Sequence, residues 1–182
     1  MSRHVAFGDR EVAFIDPSIQ DLDAFLSGLR ANVEAHVMGS AENPLVQIAH
    51  ALEQRGRTAA VHIVAHGEPG ELHFAAGIVT GATLVQHAFS LATIGSALRG
   101  GDILLWSCET GAGAIGEAFI RELSDATGAR VSASTSRVGA ASQGGAWKLD
   151  VHAITPPLTR EGIQAYAGVL GNRRCDRRGW HQ

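Results

Sequence analysis

Strand-like and helix-like stretches alternate along this chain, and that alternation constrains its fold more than any other feature. Strands separated by helices become parallel neighbours, and the helices cover both faces of the sheet they form. The expected class is therefore α/β, three layers with a mostly parallel central sheet. Residues 11–15, 33–38, 59–66, 102–107 and 130–133 read as its strands. Asp16-Pro17-Ser18 reads as the cap of a helix carrying Ile19, Leu22, Phe25, Leu26 and Leu29 at a 3–4 spacing. Asn43-Pro44 opens a second helix that ends near Gly56, a third spans 82–98, and a fourth spans 114–127 before Gly128. Residues 71–74 and 78–79 suggest a small hairpin, and 146–151 a final strand. With no repeat or linker, residues 1–170 are expected to form one domain. The arginine-rich stretch 171–182 is expected to be a disordered or foreign tail.

Composition narrows the function classes. An apolar fraction of 45% with 18% charged residues suits a packed core and not a disordered chain. A net charge of −3 without a basic stripe gives no expectation of nucleic acid. No apolar run approaches the ~20 residues a bilayer requires, and residues 1–9 lack a signal-peptide core. The expectation is synthesis in the cytoplasm and no membrane insertion. One cysteine, Cys108, lies in the body of the chain and the other, Cys175, in the tail, so a disulfide framework is not expected.

Two strand ends carry the chemistry. The run 59–65 ends in His66-Gly67-Glu68-Pro69-Gly70, and the run 102–107 ends in Cys108 before a glycine-rich turn. Ligands of open α/β sheets gather at the carboxyl ends of the strands. There a thiol beside an imidazole makes an activated nucleophile. A lone cysteine ending a strand is most often a small core residue. The helix entry that follows Cys108 argues for more, because its N–H groups should lower a thiol pKa. Gly67 can bend closely around a substrate, with its N–H aimed at a developing oxyanion.

Other candidates weaken on inspection. His62 and His66 cannot share a metal ion, since four residues of strand span ~13 Å, and no metal or other cofactor is expected. Gly111-Ala112-Gly113-Ala114-Ile115-Gly116 has the form of a dinucleotide fingerprint. It does not open the fold, however, and about twenty positions further on there is no carboxylate for a ribose. Asp16 and Asp102 are candidate orienting acids: Asp16 follows the first strand at the same sheet edge but, before Pro17, reads rather as a helix cap, and Asp102 starts its strand at the wrong end of the sheet. Ser134, Thr135 and Ser136 either line a substrate pocket or form a plain polar loop. Trp147 reads as packing.

A strand ending in His-Gly followed later by a strand ending in a small residue and Cys resembles the caspase-like clan of cysteine peptidases. The segments 12–17, 62–72, 91–98, 101–108, 116–120 and 145–149 resemble more closely a bacterial domain found near the N-termini of giant repeat-containing, adhesin-like surface proteins. The resemblance covers roughly 11–152 and implies a caspase-like fold. It makes Cys108 the nucleophile and His66 the base and acid, with N–H groups of Gly67 and Cys108 forming the oxyanion hole. No third acidic residue is obligatory, and where the resemblance leads one to expect an acidic residue after the fifth strand this chain has Ser136-Arg137. The implied partner is a polypeptide, in one case the protein's own precursor, and the implied setting is a larger exported surface protein. The alternative is a non-catalytic caspase-like binding or assembly module. A nucleotide-binding oxidoreductase is a third, weaker class.

Overall fold

A computed structural model describes residues 10–151 and 154–171. Five strands form a parallel sheet: β1 (Glu11–Ile15), β2 (Val33–Val37), β3 (Ala60–Val64), β7 (Asp102–Trp106) and β8 (Arg130–Ser132), in the order β2-β1-β3-β7-β8. A second, antiparallel sheet of three short strands, β4 (His66–Glu68), β5 (Glu71–Phe74) and β6 (Gly77–Val79), rises from the end of β3. The helices are α1 (Leu22–Ser27), α2 (Pro44–Arg55), α3 (Gly81–Gln86), α4 (Ala88–Leu98), α5 (Gly113–Thr127) and α6 (Arg160–Ala165). This is the three-layer α/β arrangement that the alternating pattern predicts.

The central strands are apolar on both faces because both faces are covered. Val12, Phe14, Val61, Ile63, Ile103 and Leu105 point into one core with Ile48 and Leu52 of α2, Leu91 and Ile94 of α4, and Phe119 and Leu123 of α5. Ala13, Ile15, Val64, Leu104, Trp106 and Cys108 point into the other, with Phe25, Leu158, Tyr166 and Leu170. Trp147 does pack, its ring 5.8 Å from both Phe25 and Trp106 and 5.6 Å from Tyr166.

Local chemistry sets several boundaries. Asn43 caps α2 by accepting from the Leu45 N–H at 2.9 Å, with Pro44 at the first position, as its sequence predicts. Gly128 closes α5 at φ 68°. Elsewhere the expectations need correcting. Asp16 caps no helix; the chain turns there, and α1 begins only at Leu22. The stretch 82–98 is broken at His87 into α3 and α4. Residues 146–151 form no strand, because Ala146 and Asp150 donate separately to Arg137 and Ala133 carbonyls instead of entering a ladder. Of the tail expected over 171–182, only Gly171 is among the described residues, and it pairs in parallel with Gly67.

One histidine is locked into the frame. His62 is fully buried, and its Nδ1 accepts from Trp106 Nε1 at 2.9 Å. Indole is a donor only, so the ring is neutral and its Nε2–H donates to Glu11 Oε2 at 2.6 Å. Arg30 Nη2 donates to the same oxygen at 2.6 Å. Burial alone would raise the Glu11 carboxyl, but the bonds from His62 and Arg30 outweigh it and hold the group below its ordinary value. A depressed carboxyl stabilises the fold above its unfolded value, and that contribution is lost as pH falls through the folded value. Glu11→Gln should therefore cost about 1–2 kcal/mol near neutrality. Urea midpoints of the two chains should converge as the medium is acidified below about pH 4.

Candidate active site

The register of the sheet brings the two strand ends together. Val64 pairs with Trp106, so His66 and Cys108 each follow two residues past one matched position on adjacent parallel strands. Beyond that point the backbones diverge. His66-Gly67-Glu68 turns into the small sheet, while Ser107–Gly111 forms the turn that enters α5. Side chains lock the two together: Ser107 Oγ meets Thr110 Oγ1 at 2.7 Å, and Thr110 Oγ1 donates to the Glu71 carbonyl at 3.2 Å. The Gly70 N–H donates to the Thr110 carbonyl at 3.0 Å. Glu109, directly after the cysteine, has φ 57°, a left-handed conformation uncommon for a residue with a Cβ. Such outliers often mark functional turns.

The glycine pattern that mimics a dinucleotide fingerprint serves this turn. A Cβ on Gly116 would strike the Gly111 carbonyl carbon and lie 2.7 Å from the Thr110 oxygen. Gly113 has φ 65°. The glycines let α5 pack against the turn that carries the thiol.

His66 is half-buried, and its tautomer follows from its neighbours. Nε2 lies 3.2 Å from the Ser18 carbonyl oxygen, which only accepts, so Nε2 carries the proton. Nδ1 is buried and has no hydrogen-bond partner, Cys108 Sγ included; Sγ bonds instead to the Val138 main chain. The Ser18 carbonyl is itself positioned by Asp16. That buried carboxylate accepts from the Ser18 hydroxyl and N–H through Oδ2, and from the Ala75 N–H through Oδ1 at 2.8 Å. Asp16 thus reaches the imidazole only through Ser18, and not as a direct orienting acid. Asp102, at the opposite end of its strand as expected, pairs with Arg130 at 2.8 Å.

Cys108 departs from expectation in its ionisation. The side chain is 2% exposed. Burial pushes the thiol up to about 11; the Val138 N–H, which donates to Sγ at 3.2 Å, opposes this, while the Glu109 charge adds to it. The helix entry does not produce the lowered pKa that the sequence suggested, because desolvation of the thiolate outweighs nearby donors. In this state the thiol is neutral.

What fills the space beside the thiol is the chain itself. The N–H groups of Gly67 and Cys108, the pair expected to form an oxyanion hole, both donate to the carbonyl oxygen of Leu170, at 3.1 and 3.0 Å. On its other side the segment 168–170 runs antiparallel to 138–140. The Leu170 N–H donates to the Val138 carbonyl at 2.9 Å, and the Ala140 N–H donates to the Gly168 carbonyl at 2.8 Å. Gly139, at φ 136°, permits this approach, since a Cβ there would fall 2.5 Å from the Gly168 oxygen. The Leu170 side chain is fully buried. Gly171 lies against the sulfur, which would be 3.5 Å from a Cβ built at that position.

The serine loop lies at the rim. Ser134 is buried and accepts from the Ser136 N–H at 3.1 Å, while Thr135 and Ser136 are exposed. Carbonyls of Ser134 and Ser136 receive the N–H groups of Gly111 and Glu109, both at 3.0 Å. The loop thus supports the cysteine turn. Sequence reasoning did not find Ser18, Val138 or Leu170, because each acts through its main chain and no side-chain type marks such a role.

An open parallel sheet with a histidine and a cysteine on adjacent carboxyl ends defines an α/β domain with a candidate nucleophile site. The chain belongs to the family described as Domain of unknown function (DUF4347), which matches residues 12–170. No curated protein and no solved structure matches it. No helix among the described residues is long and apolar enough to cross a membrane.

Proposed function

We propose that this domain is a caspase-like cysteine peptidase with Cys108 as nucleophile and His66 as general base and acid. One observation carries the reading: two main-chain N–H groups, from Gly67 and Cys108, converge on a single carbonyl oxygen beside the thiol. Paired donors on one oxygen are what an acyl-transfer site needs, because negative charge develops on that oxygen in the tetrahedral intermediate. His66 Nδ1, buried with no hydrogen-bond partner, is the ring nitrogen left open to receive a proton, which supports the assignment of the base. In the reaction His66 takes the thiol proton as sulfur attacks the carbonyl carbon. It then returns that proton to the leaving amine, and water hydrolyses the thioester. The Ser18 carbonyl occupies the place a third acidic residue often takes, holding the imidazole without changing its charge.

A second reading is favoured by the buried, neutral thiol: a binding or assembly module in which the segment over Cys108 is a permanent closure. The two readings separate in one assay. Wild type, Cys108→Ala and His66→Ala are incubated with an unfolded polypeptide, and both the chain and the added protein are followed by mass. The peptidase reading expects fragments from the wild type only, with a loss of at least about a hundredfold in each variant. Fragments in all three, or in none, would leave the module. The surface-protein setting and export are proposed from the resemblance of the motifs alone.

A further inference from the structure

We infer that the Leu170–Gly171 peptide bond is the domain's own cleavage site, with leucine on the acyl side. The inference rests on the peptidase reading and adds to it a substrate: an extended apolar main-chain segment ending in Leu, supplied by the same chain. Its basis is the way 168–171 is held. A peptidase grips its substrate as an added strand, because main-chain hydrogen bonds supply affinity and a side-chain pocket supplies selectivity. The segment here has both elements of that grip, and its carbonyl is held as well. It pairs antiparallel with 138–140 through two hydrogen bonds, at 2.9 and 2.8 Å. Its Leu170 oxygen receives both N–H groups of the candidate hole. Its Leu170 side chain is wholly enclosed, packed in the cluster that contains Cys108, Val138, Val169 and Tyr166.

The residue beyond the bond fits as well. Gly171 lies beside the sulfur and pairs in parallel with Gly67, immediately after His66. The step balances without any co-reactant but water. The Cys108 proton passes to His66 Nδ1, an S–C bond forms at the Leu170 carbonyl carbon, and the C–N bond to Gly171 breaks. The Gly171 amine leaves with the proton from His66. Water then cleaves the thioester, restoring the thiol and giving a chain that ends in the Leu170 carboxylate. A thiol kept neutral until the proton moves suits a site that is loaded from the moment of folding.

The test uses the 182-residue chain. Wild type, Leu170→Asp and Gly171→Pro are incubated between about pH 7 and about pH 10, with an unfolded polypeptide added and Cys108→Ala as the thiol-free control. Circular dichroism checks that each variant is folded. The expected product is the peptide 171–182 with Gly171 as its first residue, reduced at least about tenfold in both variants and restored by Leu170→Met. Leu170→Asp can fail to fold, whereas Gly171→Pro leaves the enclosed leucine intact and reads the bond itself. Cleavage of the added polypeptide or of another bond, with 170–171 intact, would overturn this inference and leave the peptidase reading standing. No Cys108-dependent cleavage of any kind would overturn both.

Discussion

Gly67→Ala should disrupt the geometry of the candidate site and lower the thermal midpoint by about 2–12 °C. The reason is steric. A methyl group at this position would collide with Thr110 Oγ1 and lie 2.7 Å from the Cys108 carbonyl oxygen and 2.8 Å from Ser107 Cβ. All three neighbours are fixed: the carbonyl is main chain, and Ser107 and Thr110 are buried and bonded to each other. Relief must come from separating β4 from the cysteine turn, which pulls the Gly67 N–H away from its shared acceptor. Overpacking of this kind costs about 1–3 kcal/mol or more. Differential scanning calorimetry checks the stability, and the peptide-release assay checks the site. A midpoint within about 2 °C of wild type, with release unchanged, would mean that the two strand ends are not held as described.

The second large effect concerns the thiol. At about pH 8, iodoacetamide should modify Cys108 in the folded chain at least about a hundredfold more slowly than in the urea-unfolded chain. The reagent reacts with the thiolate, and a pKa raised from 9.0 to about 11 makes that species about a hundred times scarcer. Closure by Leu170 and Gly171 adds a steric factor in the same direction. Up to the folded pKa, the rate should rise about tenfold for each pH unit. Peptide mapping separates Cys108 from Cys175. Leu170→Asp places a carboxylate in an apolar enclosure, so the segment should leave and the rate should climb back towards the unfolded value. Equal rates in the folded wild type and the unfolded chain would contradict a closed, neutral thiol.

Much of the architecture is legible in the sequence because each central strand is a short apolar run bounded by a cap or a glycine. Asn43-Pro44 and Gly128 carry their meaning locally, through a side-chain acceptor, a fixed φ and a freedom to take positive φ. The misreadings lie where tertiary partners decide. Residues 59–66 look like one strand, yet the chain leaves the main sheet after Val64 because His66–Glu68 pairs with β5. The apolar pattern of 146–151 has no ladder to join, since its N–H groups are taken singly by distant carbonyls.

The site was legible to a different depth. His66, Gly67 and Cys108 could be chosen because strand ends and residue types announce them. The thiol's ionisation could not, because a helix entry is visible in sequence while the degree of desolvation depends on what packs over the sulfur. The packing element is 168–171, remote in sequence and acting through its carbonyls. Nothing in the residue types Gly, Val, Leu and Gly marks such a segment as the acceptor of the Gly67 and Cys108 N–H groups.

The central claim is that Cys108 and His66 together break a peptide bond. Intact mass spectrometry of wild type, Cys108→Ala and His66→Ala, purified and incubated side by side, tests it most directly. The account predicts that wild type shortens to a chain ending at Leu170 while both variants keep their full mass. Three chains of unchanged mass that also leave an added unfolded polypeptide intact, or equal shortening in all three, would contradict it.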